Sequence, residues 1–375
     1  MSRSAYDVVI IGAGIVGTAC ARECARAHLR VAVVEAGVVG GGATAAGMGH
    51  IVVMDDSEAQ FSLTRYSQQL WHQLAPELTA DVEYMPCGTI WVAADREEMQ
   101  EVERKHEYYR ARGVPTEVLG ANALRKAEPH LRPGLVGGLL VPEDIVIYAP
   151  CAARFLLRQA QAYSCDLYQD VRVTELHEDG VTLHDGRVIS AQVIVNATGT
   201  WASQLVPGLE IRPRKGHLVI TDRYPGFVRH ELVELGYLKS AHSLTADSVA
   251  FNIQPRITGQ LLIGSSRQYG AEDRQVDNQI VARMLQRACE YMPEIAGMSA
   301  IRCWTGFRAA TPDKLPVIGK CPGHDGLYLV TGHEGLGITT SLASARLLLD
   351  QLLNRPPAIP MEPYLPTRNM EIAHA

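Results

Sequence analysis

In the first strand-like runs of the chain the apolar residues are continuous rather than alternating. Residues 6–11 form a β-branched apolar run, residues 12–17 a glycine-rich turn, residues 15–28 an alanine-rich stretch of helical character, and residues 31–35 a second apolar run. Continuous hydrophobicity is what a parallel strand buried on both faces requires. The order strand, turn, helix, strand therefore predicts a βαβ unit and an α/β first layer. Residues 37–49 carry six glycines among alanine and threonine, which predicts a loop without a regular element, lying close against something. Two charged stretches of helical character follow, at 57–74 and 96–112.

Strand character returns at 136–147, and a helix is predicted over 148–163. Strands then follow at 167–176, 181–184 and 192–197, separated by turns at Asp179-Gly180 and Asp185-Gly186. Between 211 and 270 the pattern changes to short strand candidates, at 216–221, 248–254 and 260–265, with Gly, Pro and Asp turns between them. An antiparallel sheet in a second lobe of α+β character is the expected result. Residues 326–331 form a last apolar run, which enters Gly332-His333-Glu334-Gly335-Leu336-Gly337 and a helix over 338–353. Five prolines follow Arg355, predicting an extended tail. No internal repeat is present. The expected fold is thus α/β: a first domain assembled from 1–85, 145–212 and 303–365, a second from 86–144 and 213–302, and a tail at 366–375.

Composition narrows the class. The chain has 375 residues, 47% hydrophobic, with 41 acidic and 35 basic side chains and a formal charge of −6. That excludes disorder and lacks the basic footprint of a nucleic-acid-binding protein. A small-molecule partner is expected instead. No apolar run reaches the roughly 18 residues of a membrane helix, and the N-terminus does not read as a signal peptide, so the expected compartment is the cytoplasm. Eight cysteines include no Cys-x-x-Cys spacing and are expected to be reduced structural thiols.

The chemistry begins at Gly12-Ala13-Gly14-Ile15-Val16-Gly17, a G-x-G-x-x-G placed after a strand and opening a helix. The first glycine makes the turn, the second lets the backbone approach a pyrophosphate, and the third packs helix on strand. Glu35 closes the next strand about 20 residues on, where a carboxylate accepts hydrogen bonds from a ribose and repels a 2′-phosphate. Together they point to an unphosphorylated adenine dinucleotide. An NAD protein would continue as a compact six-stranded nucleotide domain. Here a glycine-rich loop intervenes at 40–49 and the matching pieces return far along the chain, which favours FAD.

The strand ending in Asn196-Ala197-Thr198-Gly199-Thr200-Trp201 resembles the Ala-Thr-Gly turn of glutathione-reductase-like flavoproteins. With it, the chain resembles the D-amino-acid oxidase and glycine oxidase superfamily over nearly its whole length, implying a glutathione-reductase-like FAD-binding Rossmann domain with an antiparallel-sheet substrate domain. Thr44-Ala45-Ala46-Gly47-Met48-Gly49 resembles the loop these enzymes lay along the flavin, and Val173 the residue whose backbone holds the adenine. Gly332 to Thr339 resembles the loop and helix start over the flavin pyrimidine. The cofactor-binding set so implied is Gly12, Gly14, Ile15, Val16 and Gly17, then Glu35 and Ala36, then Ala43, Thr44, Gly47, Met48 and Gly49. Val173, Ala197, Gly199 and Trp201 join it, with Gly332, Gly335, Leu336, Gly337, Ile338 and Thr339. In Gly306-Phe307-Arg308-Ala309-Ala310-Thr311-Pro312-Asp313, Arg308 matches the arginine that binds the substrate carboxylate; the alternative for Arg308 is an ordinary ion pair, for example with Asp313.

Departures from the family matter too. The second carboxylate arginine of glycine oxidases is matched by Gly335, and the cysteine through which sarcosine oxidases attach FAD is matched by Gly306, with Cys303 three residues too early, so the flavin is expected to be non-covalent. The segment after Gly332 is most similar to flavin subunits of bacterial hydroxyproline and opine dehydrogenase complexes, with a hydrogen cyanide synthase subunit a near neighbour. Any iron–sulfur centre must then sit on another subunit of a hetero-oligomer, because no C-terminal cysteine cluster is present.

The activity implied is oxidation of the C–N bond of a D- or secondary amino acid, with D-hydroxyproline the leading substrate, to an imine by hydride transfer to flavin N5. A dehydrogenase is preferred to an oxidase. Arg308 and His50 are the catalytic candidates, His50 with an equal case for a structural role, while His333 is expected to shape its loop. Tyr237, Asn252 and Tyr269 could cap a substrate, though packing is the commoner use of such residues. Alternatives are a glycine/sarcosine-type oxidase or opine oxidase subunit, an electron-relay subunit whose substrate site lies on a partner, and an NAD-dependent dehydrogenase.

Overall fold

A computed structural model describes residues 6–236 and 247–368; Tyr237 lies outside them. The chain divides into two compact units, one comprising the residues up to Val82 with Tyr148–Pro213 and those from Phe307 on, the other Glu83–Ile147 with Arg214–Gly306.

In the first unit, strand β1 (Tyr6–Ile11), helix α1 (Ile15–Arg26) and strand β2 (Val31–Glu35) form the expected βαβ unit. β1 pairs in parallel with β2, Val8 opposite Val31, and with Val188–Asn196, Val9 opposite Ile194. The central strand order is Val317–Lys320, Leu327–Thr331, Val188–Asn196, β1, β2, Cys165–Gln169. Only Val317–Lys320 runs antiparallel to its neighbour along this path. Val9, Ile11, Ala32 and Val34 pack in one cluster with Val173, Val181 and Leu183 of an added antiparallel ribbon. Val8, Ile10 and Val33, which point to the opposite face, are equally buried. Helix α1 packs on helix Ala149–Gln161 and helix Gly337–Leu352. Burial on both faces is why these strands read as continuous apolar runs.

Two expectations are corrected in this unit. The glycine-rich segment is not wholly loop: Gly42–Ala46 is a short helix, because Ala43, Ala45 and Ala46 are strong helix formers and Thr44 is anchored through its hydroxyl to α1. The proline-rich end is not simply extended either. Glu362–Tyr364 and Pro366–Arg368 are 3₁₀ turns. The buried Tyr364 donates to the Ala59 carbonyl at 2.6 Å, and Arg368 pairs with Asp313 at 2.6 Å.

The second unit carries an eight-stranded sheet in the order Ala300–Ala310, Arg212–Arg223, Gln260–Arg267, Ser248–Pro255, Glu231–Glu234, Thr89–Ala93, Gly137–Val141, Glu117–Gly120. Arg212–Arg223 with Gln260–Arg267, Gln260–Arg267 with Ser248–Pro255, Ser248–Pro255 with Glu231–Glu234, Thr89–Ala93 with Gly137–Val141 and Gly137–Val141 with Glu117–Gly120 pair antiparallel, whereas Glu231–Glu234 runs parallel to Thr89–Ala93. These two strands come from separate segments, so no hairpin forces them antiparallel. One face places Ile90, Val92, Leu232, Phe251, Ile253 and Ile263 against Met284, Ala288 and Tyr291 of helix Asn278–Tyr291. Beneath this layer Glu234 is 2% exposed. Its carboxylate accepts the Phe251 N–H, the Tyr291 hydroxyl at 3.0 Å and the Arg287 guanidinium.

All eight cysteines are free. Among the described residues no His/Cys/Asp/Glu cluster could hold a metal, and no helix is long and apolar enough to cross a membrane. Phe251, fully buried and stacked on Tyr291 at 4.6 Å, anchors the second unit. Phe251→Ala is expected to cost about 3–5 kcal/mol, read as a lower urea midpoint at unchanged slope.

Candidate functional site

The turn from β1 into α1 is shaped by contacts only glycine permits. Gly12 has φ +101°, and a Cβ on it would stand 2.8 Å from the Ala197 carbonyl oxygen; a Cβ on Gly17 would stand 1.9 Å from the Gly12 oxygen. Gly12 N–H donates to Val34 at 2.8 Å, closing the turn onto β2. Gly14 is the extended residue before α1 and offers no side-chain cap. The Ile15 N–H instead donates to Thr44 Oγ1 at 3.0 Å, while the next N–H groups of the turn, on Val16 and Gly17, have no intrahelical acceptor. No acidic residue stands in this first turn, so the partial positive charge of the helix start is unopposed. Such a terminus is suited to a pyrophosphate.

Glu35 is held at the end of β2 by two backbone donors, Ala13 N–H at 2.7 Å and Gly37 N–H at 2.8 Å. A carboxylate has about four acceptor positions, so two remain for ribose hydroxyls. Ala36 follows it, exposed. At the neighbouring strand end the Ala197 N–H donates to Ile11 at 2.9 Å. Asn196, fully buried, spans the turn beyond it: its amide donates to the Ala202 carbonyl at 3.1 Å and its oxygen accepts the Thr198 hydroxyl at 2.7 Å. Sequence reasoning missed Asn196; its signal was a polar residue closing an apolar strand. Gly199 accepts the Thr331 hydroxyl at 2.9 Å, and Trp201 is 46% exposed. Val173 sits buried at the start of its ribbon strand. The three parallel strands β1, β2 and Val188–Asn196 thus bring their expected residues together at their carboxyl ends, where α/β sheets bind ligands.

The segment 43–50 is tied at both ends. Thr44 fixes it to α1, and the His50 carbonyl accepts the Thr339 hydroxyl at 3.0 Å from the first turn of Gly337–Leu352. Between these ties Ala43 is exposed and Met48 buried, and a Cβ on Gly47 would stand 3.0 Å from Ile338 Cδ1. The helix at Gly337 also starts without a side-chain cap at Leu336 and without an acidic residue. A Cβ on Gly337 would be 4.0 Å from Val16 Cγ2, so two uncapped helix starts stand beside each other. A dinucleotide fits this pair: pyrophosphate at α1 and, at the second start, a ring that gains negative charge on reduction. The residues present therefore fit an FAD.

The turn before the second helix holds Arg308. Glu334 N–H donates to the Ala309 carbonyl at 2.9 Å, joining the turn to strand Ala300–Ala310. A Cβ on Gly335 would stand 3.5 Å from Arg308 Nε and 3.7 Å from Cδ. Arg308 and Gly335, 27 positions apart in the chain, are thus side by side. Asp313 is engaged by Arg368, a pairing no sequence pattern signalled. His333 is buried, with Nε2 3.0 Å from Ser344 Oγ. Desolvation pushes its pKa down to about 3, so the imidazole is neutral at physiological pH.

In the second unit Asn252 is 7% exposed, and among the described residues its Oδ1 has no hydrogen-bond partner. Tyr269 accepts from Arg214 Nη1 at 2.8 Å. Cys303 is exposed.

Comparison with known proteins gives a consistent picture. The family model described as FAD dependent oxidoreductase matches residues 7–351. The chain is 30% identical to a glycine oxidase of Pseudomonas aeruginosa, covering 96% of this chain and 98% of that protein. It is 27% identical to the hydrogen cyanide synthase subunit HcnC of Pseudomonas protegens, over 97% and 96% of the two chains. The crystal structure of glycine oxidase from Geobacillus kaustophilus superposes with a TM-score of 0.88 at 27% identity, covering 98% of this chain and 99% of that one.

Two outcomes are expected. Thr44→Val removes the acceptor of the Ile15 N–H, a loss of about 1 kcal/mol, and should weaken FAD retention about fivefold in equilibrium dialysis. His333 takes up no proton when folded until about pH 3 but does so near 6.5 when unfolded. The unfolded state then binds more protons, and stability falls as pH drops through that window. His333→Gln should flatten the slope of unfolding free energy against pH between about 6.5 and 3 by up to one proton equivalent, as read by denaturant titrations across the range.

Proposed function

The chain belongs to the family of FAD-dependent oxidoreductases, and from that premise we propose that it is an amino-acid dehydrogenase oxidising the C–N bond of a D- or secondary amino acid, D-hydroxyproline being the leading substrate. The observation that carries this reading is Arg308 beside the turn that starts helix Gly337–Leu352. A guanidinium there is placed to hold a substrate carboxylate in a bidentate pair, a geometry lysine cannot reproduce. The similarity to glycine oxidases supports an amino-acid carboxylate as its target. The unit of Glu83–Ile147 and Arg214–Gly306 is proposed as the substrate-binding domain, in a protein of the cytoplasm.

When bound, FAD supplies the two-electron acceptor for the substrate C–H bond. The chain's own residues bind and orient. Arg308 fixes the carboxylate, and through it the direction of the α-carbon. The uncapped helix start at Leu336 stabilises negative charge near it. His333, neutral and held by Ser344, adds no charge of its own and shapes the turn. His50, tied through its carbonyl to Thr339, places the segment 43–50; a contact of its ring with substrate or cofactor is part of the proposal. A neutral amine needs no protein base. With glycine at position 306 and the Cys303 thiol three residues too early in the chain, the flavin is proposed to be held without a covalent bond.

A glycine/sarcosine-type oxidase or an opine oxidase subunit is the neighbouring alternative. The similarity to a hydrogen cyanide synthase subunit supports a second reading, in which the chain works with other subunits and relays electrons for a substrate site on a partner. The purified chain should be yellow. Under anaerobic conditions its colour should bleach with D-hydroxyproline or D-proline, tested beside sarcosine, glycine and opines, and slow recolouring in air would mark a dehydrogenase. Arg308→Lys should retain flavin and raise KM for the bleaching substrate by at least about tenfold. An unchanged KM would remove Arg308 from the site, and a yellow protein bleached by none of these would favour the relay reading.

A further inference from the structure

We propose that Gly335 is a specificity-determining position, keeping the flank of Arg308 open for an amino acid with a substituent on its α-carbon, including a ring closed onto its nitrogen. This rests on the reading of Arg308 as the carboxylate anchor.

Two glycines of the same turn differ in what they require. Gly332 has φ +74°, and a Cβ on it would stand 2.6 Å from the Thr311 methyl, so backbone and packing both demand glycine there. Gly335 is under neither constraint. It is not among the residues of positive φ and it is exposed. Apart from its chain neighbours Glu334 and Leu336, among the described residues a Cβ on it would meet only Arg308 within 4 Å, at Nε 3.5 Å and Cδ 3.7 Å. Both distances are ordinary van der Waals contact. A Cβ at 335 is therefore sterically allowed, and it would lie beside the Arg308 stem at Nε and Cδ. The bond from Glu334 N–H to Ala309, 2.9 Å, keeps the turn and the arginine strand in this register.

A carboxylate paired with a guanidinium lies in its plane, with the rest of the molecule directed away from the fork. In a pair made through Nε and one terminal nitrogen, the edge of the guanidinium nearest Gly335, the first atom beyond the carboxylate is the α-carbon, and its substituents are the groups that a side chain longer than Cβ at 335 would meet. With glycine at 335 that volume stays free. A substrate without an α-substituent, such as glycine, gains nothing from the space, whereas a ring or side chain needs it.

The test uses the flavin-loaded protein and two unreactive carboxylates, acetate as the small probe and pyrrole-2-carboxylate as the ring probe. Binding is followed by calorimetry and by the change in flavin absorbance. Gly335→Leu is expected to weaken the ring probe about tenfold or more relative to acetate, the order that a few methylenes impose in a substrate pocket. Gly335→Ala should move the ratio in the same direction, about two- to threefold; adding one methyl at ordinary contact distance, it reads the same ratio if the leucine variant fails to fold. Arg308→Lys should weaken both probes. Equal weakening of the two probes by the Gly335 substitutions, or no change in either, overturns the inference. Unchanged acetate binding in Arg308→Lys overturns the anchor reading instead, which separates the two failures.

Discussion

Two helices that begin without a side-chain cap set the terms for the first unit. At α1 and at Gly337–Leu352 the N-terminal turns carry no acidic residue and no cap from their own N-cap residue, and at α1 Thr44 meets the Ile15 N–H from another segment. Their remaining first-turn N–H groups, those on Val16 and Gly17 at α1 among them, keep a partial positive charge. Such an end is unfavourable when left alone and favourable beside an anion, so local stability has been given up where a ligand restores it. The two ends stand beside each other, with Gly337 against Val16, and the segment 43–50 is laced to both through Thr44 and Thr339. Glycines at 12 and 17 let β1, α1 and Val188–Asn196 approach closely enough for this to happen.

Neutrality is managed as carefully as charge. Glu35, the carboxylate at the end of β2, accepts one N–H on each oxygen, from Ala13 and from Gly37, which leaves its other lone pairs for hydroxyls. His333 lies in the turn before the second helix, yet burial keeps it uncharged. A protonated imidazole there would add a fixed charge beside Arg308 and change how tightly that arginine holds an anion. The arginine stands next to a glycine that the backbone does not need, and the bond from Glu334 N–H to Ala309 joins the turn to the arginine strand.

Much of this was legible along the chain. The continuous apolar runs of β1 and β2 followed from burial on both faces, and the change to short strands after residue 211 signalled a second, mostly antiparallel sheet. Departures arose where local composition and tertiary contact disagreed. Six glycines between 37 and 49 read as loop, yet three alanines and the Thr44 bond to α1 stabilise a short helix inside it. Five prolines after Arg355 read as an extended tail, yet Tyr364 and Arg368 reach back to Ala59 and Asp313. The parallel pairing of Glu231–Glu234 with Thr89–Ala93 joins segments about 140 residues apart, beyond the reach of any periodicity argument.

By itself the sequence determined the nucleotide loop and its carboxylate. Strand, glycine turn, helix and Glu35 are local in the chain, and each is constrained by sterics or charge acting over a few residues. Tertiary structure alone decided that Arg308 and Gly335 are neighbours, that Thr44 and Thr339 tie one segment to two helices, and that Asn196 spans the turn at its strand end. Those contacts depend on main-chain register between distant segments, such as Glu334 on Ala309. Register is fixed by the packing of whole strands and helices, which no single stretch of residues encodes.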